Sequence, residues 1–272
     1  MSLKLGKVGV ISVLVAGVAL VATACGSDPT ATPTTAPVTT PTPAPTSTSV
    51  PDPTPPPTSV ATGPQTIKLN PSKDTTLFDD GPSTLANGEG EWLFAGVTQR
   101  GAIRRALIAF DIAGAMPAGA TVQDVSLQLM LSQTTARDEP VTLYRVETAW
   151  NEGTADADYN EGRGGPAGPG DPTWLGTGIG DTQWTAAGGD FASAESSTLS
   201  VGKKGLASDW SSPKMIADAQ AWLDAPASNN GWILLGNESG TRTAKRFDSN
   251  ENFSGFPEIT RPVLTITYLP AS

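Results

Sequence analysis

Residues 65–270 read as an all-β domain: an antiparallel jelly-roll β-sandwich with one short helix near 213–224 and a long Gly-rich insertion. Three observations predict it. Apolar residues recur at every second position in several runs. Clusters of Gly, Asn, Asp and Pro separate those runs. A helical period occurs clearly once. A segment of about 206 residues is long enough for one large sandwich.

Residues 107–110 form a short continuous apolar run, the pattern of a strand covered on both faces. Pro117-Ala118-Gly119 turns the chain into a long alternating strand, with Val125, Leu127, Leu129 and Leu131 against Ser126, Gln128 and Met130. Arg137-Asp138-Glu139-Pro140 marks the next turn. Val141, Leu143 and Val146, with Tyr144 among them, then mark a strand that ends at Trp150. Residues 151–209 are Gly-rich and irregular, most of all at 163–170. With Trp150, Trp174, Trp184 and Trp210 in or beside it, this stretch is expected to pack on the sandwich as an ordered insertion. Ser212 can cap a helix whose first residue is Pro213. Met215, Ile216, Ala219, Trp222 and Leu223 share one face of it, and Trp222 is expected to plug the sandwich. The helix ends near Asp224-Ala225-Pro226. Asn229-Asn230-Gly231 leads into a second buried strand at 232–235. Leu264, Ile266 and Tyr268 alternate with Thr265 and Thr267 in the last strand.

Upstream, the chain reads as an address followed by a spacer. Residues 1–24 have the parts of a secretory signal: Lys4 and Lys7, an apolar run over 8–21, then small residues. The run is short of the about 20 residues that a spanning helix needs. Val21-Ala22-Thr23-Ala24-Cys25-Gly26 resembles the lipobox of bacterial lipoproteins, with Ala22 where Leu is usual. It implies that Cys25, the single Cys, is lipidated and becomes the first mature residue. Cleavage after Ala24 that leaves a free thiol is the alternative. Residues 27–64 hold 12 Pro and 12 Thr and no aromatic residue. Such a segment cannot bury enough apolar surface to fold. Residues 25–64 are therefore expected to be a disordered tether with a reach of up to ~120 Å. The expected location is extracytoplasmic, at a bacterial cell surface, with the membrane as partner through the lipid.

Composition narrows the chemistry. Without His there is no Ser-His-Asp triad and no His-ligated zinc, and one Cys cannot make a disulfide framework. The net charge of −10 argues against nucleic acid, because no basic stripe is visible in the sequence. No catalytic residue is assigned and no cofactor is required.

A series of motifs follows in order, beginning with Arg104-Arg105-Ala106-Leu107-Ile108-Ala109-Phe110-Asp111 and Met116-Pro117-Ala118-Gly119-Ala120-Thr121-Val122. It continues through Trp150-Asn151-Glu152-Gly153-Thr154, Ala219-Gln220-Ala221-Trp222 and Asn230-Gly231-Trp232-Ile233-Leu234-Leu235-Gly236. It closes on Arg246-Phe247-Asp248-Ser249 and residues 261–268. This order resembles the DNRLRE-domain family, whose members are related to disaggregatases and to carbohydrate-binding modules. The resemblance departs at Asn250, where many relatives carry a basic residue before the Glu. It implies a jelly-roll module of secreted and surface proteins, and polysaccharide as the partner. A structural or adhesive protein acting through contacts with other surface proteins is the alternative, and a glycan hydrolase or lyase a third reading.

Three constellations could carry chemistry. Trp150, Glu152, Trp174, Trp184 and Asp190 place acids beside aromatic rings, as a sugar site would. Equally, the acids could bind backbone amides while the rings cover the core. Arg104 and Arg246, with Arg105, Arg145 and Lys245, are basic residues on or next to strands. They could pair with Asp111, Glu147 and Asp248, or share a face that binds an acidic polysaccharide. Asp74, Asn87 and Glu89, near Asp79, Asp80 and Glu91, could hold a structural Ca²⁺ through oxygen ligands, or be acidic loops. Asp156, Asp158 and Asn160 begin like a calcium loop, but Glu161 and Ala167 break the EF-hand pattern.

Overall fold

Among the described residues, thirteen strands and two α-helices follow in the order β1 (Gln65–Leu69), β2 (Lys73–Phe78), β3 (Leu85–Ala86), β4 (Trp92–Val97), β5 (Ile103–Ala109), α1 (Ile112–Ala115), β6 (Thr121–Thr134), β7 (Glu139–Val146), β8 (Gly165–Pro166), β9 (Phe191–Val201), β10 (Ala207–Ser211), α2 (Pro213–Asp224), β11 (Trp232–Leu235), β12 (Lys245–Asp248) and β13 (Val263–Leu269). This computed structural model describes residues 63–134, 137–159, 161–202, 204–205, 207–253 and 260–271. All of them belong to one compact unit, Pro57–Ser272. The signal-like segment, Cys25, the tether up to residue 62 and Asn160 lie outside the described residues. No described helix is long and apolar enough to cross a membrane.

The fold is all-β and antiparallel, as the alternation predicts. Eleven strands form one curled sheet in the order β1-β13-β6-β12-β4-β5-β11-β7-β9, with β10 added on β6 and β2 on β5. The 14-residue β6 makes the curl possible. Its first part pairs with β13, and its last residues pair with β12, which in turn pairs with β4. Bulges at Arg246/Phe247 and Thr267/Tyr268 let the long strand bend between these partners. One layer is thus β1-β13-β6-β10, the other β2-β5-β11-β7-β9, and β12-β4 joins them.

Alternation decides what fills the space inside. Val125, Leu127, Leu129 and Leu131 are fully buried in the main core, beside Leu264 and Ile266 of the paired β13 and together with Leu143 of β7. Trp210 is also fully buried; its indole N–H donates to the Val141 carbonyl at 2.9 Å and its ring meets Phe247 edge-on. The helix is α2, at the expected residues. The Ser212 hydroxyl accepts from the Met215 amide, and Pro213 opens the first turn. Met215, Ala219, Trp222 and Leu223 are buried against the sandwich, and Trp222 meets Trp232 at a centroid distance of 4.7 Å. Asp218 is buried with them. It accepts from the Ser196 hydroxyl at 2.6 Å and the Trp232 indole at 3.2 Å, and pairs with Lys214 one turn earlier.

Both faces of the β5–β11 pair are covered, as their continuous apolar runs predict. Ala106, Ile108, Trp232 and Leu234 face the main core. Leu107, Ala109 and Ile233 face a second cluster, completed by Trp150 and Trp184 from the irregular stretch. Residues 151–190 are therefore an ordered lid on the back of the sheet, whereas 191–209, expected to be irregular, enter the strands β9 and β10.

Candidate functional site

A groove of about 1080 Å³ opens over β4, β12 and the end of β6. Its floor follows from the pleat. Leu93 and Ala95 point into the core, so Trp92 and Phe94 stand on the opposite face of β4, both half-buried. Arg246 lies across from Phe94 on one side and Gln133 on the other. Its guanidinium sits 4.0 Å from the Trp92 ring centroid, and its Nε donates to the Ser132 hydroxyl at 3.0 Å. Burial pulls the Arg246 pKa down, against the charges of Asp248 and Glu161. Two glycines let the walls close in. Gly96 has φ +106, and a Cβ there would meet the Thr243 backbone at 3.0 Å; a Cβ on Gly162 would meet the Phe94 ring at 3.1 Å.

The groove collects cations. Arg104 and Lys245 lie at its base, only 6% and 1% exposed. Arg104 donates to the carbonyls of Ile103, Gly162 and Asp79 and stacks on Phe78. Burial lowers its pKa to about 10, opposed by Asp79 and Asp80. Lys245 donates to the Thr134 hydroxyl and the Arg137 carbonyl, and burial lowers it too. Arg100, Arg163 and Arg242, all exposed, stand at the rim beside the fully exposed Tyr159. One carboxylate, Glu161, belongs to the lining. It accepts from the Asn87 side chain and the Trp92 amide, each at 3.0 Å. Burial raises its pKa, and those hydrogen bonds oppose the rise.

A second constellation consists of Asp74, Glu152 and Glu251, whose carboxylate oxygens lie within 4.8 Å of one another. The Asp74 amide donates to Glu152 at 2.7 Å, and the Asp74 carboxylate accepts from the Asn250 amide at 2.9 Å. Burial, and then the charge of Glu251, hold Asp74 well above the usual carboxylate range. Burial also raises Glu152 and Glu251. Lys73 beside them is lowered by burial, against the pull of Glu152; it donates to the Trp150 carbonyl and lies over the Trp150 ring at 4.0 Å. Three hard oxygen donors of this kind suit Ca²⁺ or Mg²⁺ by chemistry, though calcium takes six to eight oxygens in all.

The residues nominated from sequence divide between these places. Trp150 and Trp184 are buried, and their indoles donate to the carbonyls of Asn230 and Thr173. Trp174 is half-buried under the Arg105 guanidinium, which pairs with Glu238 at 2.8 Å rather than with the acids named from sequence. These rings form no open platform. Asp190 accepts from the Thr148 hydroxyl and from the amides of Thr185 and Ala186. Burial would raise it, but these bonds carry its pKa below the usual value. Glu152 leaves the tryptophans and joins Asp74. Asn87 is buried against Glu161 and the Ala157 amide. Glu89 is exposed, with its charge felt at Glu152. Among the described residues the acids grouped with Asp74 are Glu152 and Glu251, and Glu251 is the partner the sequence left unnoticed. Arg104, Lys245 and Arg246 do share a groove, as one of the two sequence readings has it. Trp92, Phe94, Arg100, Arg163 and Arg242 carried no recognised signal.

No protein-family model and no curated protein matches the chain.

Proposed function

We propose that this is a polysaccharide-binding module held at a cell surface by a lipid on Cys25, with the groove over β4 and β12 as its glycan face. One observation carries the reading. Trp92, Phe94 and Tyr159 offer aromatic faces in an open groove whose remaining lining is rich in N–H donors. Flat rings lie against the apolar faces of sugars while guanidinium and amide groups take the hydroxyls, and a concave site with a few placed polar groups is the usual form of such pockets. The order of motifs shared with DNRLRE domains supports the same reading. Among the described residues the lining holds one carboxylate, whereas glycoside hydrolysis ordinarily uses two, about 5–10 Å apart. This favours binding over turnover. The signal-like residues 1–24 and the lone Cys25 support the anchor.

Affinity electrophoresis of the purified protein against a panel of soluble polysaccharides tests the binding face. At least one glycan is expected to retard the wild type, and Trp92→Ala to weaken that retention tenfold or more. Retention by no glycan would refute the reading. For the anchor, incorporation of a fatty-acid analogue is expected in the wild type and absent from Cys25→Ser.

A further inference from the structure

The groove has the opposite charge to the chain that forms it. The net charge is −10, yet six of the 17 Lys and Arg residues line this one groove, with a single Glu among them. We propose that the groove selects acidic polysaccharides, gripping the carboxylates of uronate units. The inference rests on the groove being the glycan face.

The placement of the cations supports it beyond their number. Arg104 and Lys245 are buried and donate to neutral oxygens. Among the described residues, no carboxylate lies within 4.0 Å of Arg104, Lys245 or Arg246. A buried charge whose carboxylates, here Asp79 and Asp80 for Arg104 and Glu139 and Asp138 for Lys245, lie beyond contact is costly to keep, and its field is weakly screened. Here that field emerges into an open groove, where an anion from outside can neutralise it. Above this base stand Arg100, in the turn between β4 and β5, Arg163, in the 3-10 turn Glu161–Arg163, and Arg242, in the loop before β12. The guanidinium fork matches a carboxylate with two parallel hydrogen bonds. Trp92, which lines the groove beside Arg246, supplies the stacking surface.

Glu161 narrows the class of polyanion. A carboxylate in the lining accepts from sugar hydroxyls, which a polyuronate offers on its units and a DNA backbone lacks.

The test uses the purified protein and three polyuronates of different linkage: polygalacturonate, polymannuronate and hyaluronate. Each is paired with its carboxyl-reduced, neutral counterpart, and a single-stranded DNA of matched charge serves as the nucleic-acid arm. At least one polyuronate is expected to bind, at least tenfold tighter than its reduced form, with affinity falling as salt rises. Arg163→Gln and Arg100→Gln, on exposed side chains, are each expected to weaken that binding about fivefold with an unchanged melting temperature. Glu161→Gln is expected to tighten DNA binding relative to polyuronate. Equal affinity for charged and reduced forms, or retention of neutral glycans only, overturns the inference and leaves the glycan-binding reading standing. Tighter binding of DNA than of every polyuronate overturns the ligand class. Retention of no glycan overturns both.

Discussion

Two regions of this domain set aromatic rings beside glycines and charged side chains, and they use them in opposite ways. In the insertion, Trp150 and Trp184 close a second core behind β5 and β11, and their indole N–H groups are tied to backbone carbonyls. In the groove, Trp92 and Phe94 stand on the outer face of β4, half-open, with Arg246 lying over Trp92. Neighbouring residues in sequence do not distinguish the two. What distinguishes them is which face of a sheet the ring occupies and whether another segment lies over that face. An aromatic residue in a Gly-rich loop tends to be the lid; the open ring sits on a strand, flanked by arginines.

The sharpest way to break this contrast is to remove one ring from each region. Trp150→Ala or Trp184→Ala is expected to cost about 3–5 kcal/mol of stability, read from denaturant midpoints. Trp92→Ala is expected to cost less than half as much while abolishing most glycan retention. Equal losses of stability would erase the distinction. A smaller effect concerns two acids, one in the insertion and one in the cluster of Asp74, Glu152 and Glu251. Asp190 ties three donors inside the insertion, and Asp190→Ala is expected to cost about 1–3 kcal/mol through the donors it leaves unpaired. The native pKa of Asp190 is lowered, so the stability it contributes is present above its unfolded value and lost as pH falls through the native one. Asp74 has the opposite sign. Its native pKa is raised, so its contribution is complete below the ordinary 3.8 and lost as pH rises through the native value. Asp74→Asn is expected to flatten the fall of melting temperature with rising pH on that limb, and an unchanged slope would show that Asp74 does not carry it. The smallest expected effect is that of Ser212→Ala, about 1 kcal/mol from the lost helix cap, with glycan retention unchanged.

Much of the scaffold was legible in the sequence because local rules dominate there. The Ser212-Pro213 start and the spacing of Met215, Ala219, Trp222 and Leu223 fixed α2 at both ends. Alternation over residues 125–131 identified the core of β6, and the continuous runs at 107–110 and 232–235 correctly implied cover on both faces. The groove was only partly legible. Arg104, Lys245 and Arg246 stood out as cations on or next to strands. Trp92-Leu93-Phe94-Ala95 is apolar at every position, so no alternation shows which rings face outward. Arg100, Arg163 and Arg242 come from three separate loops and line one groove, the pairing of β4 with β12 bringing together the strands that carry the loops of Arg100 and Arg242. Glu251 was invisible for the same reason: its distance to Asp74 is set by the path from β12, not by spacing along the chain.

The pairing of the first and last strands has a mechanical consequence. Gln65 lies opposite Tyr268, so the two ends of the domain share one edge of the sheet. A pull applied at the N-terminal end of β1 loads that pair first and then peels β1 from β13 one residue at a time, through Thr66 and Thr267, whose hydroxyls are bonded at 3.0 Å. The next strand along the chain, β2, is buried over almost its whole length. Five residues at about 3.4 Å each therefore act as a short extensible leader, giving roughly 17 Å of slack before tension reaches the core. A domain built this way yields a little at its edge under drag and keeps its groove intact.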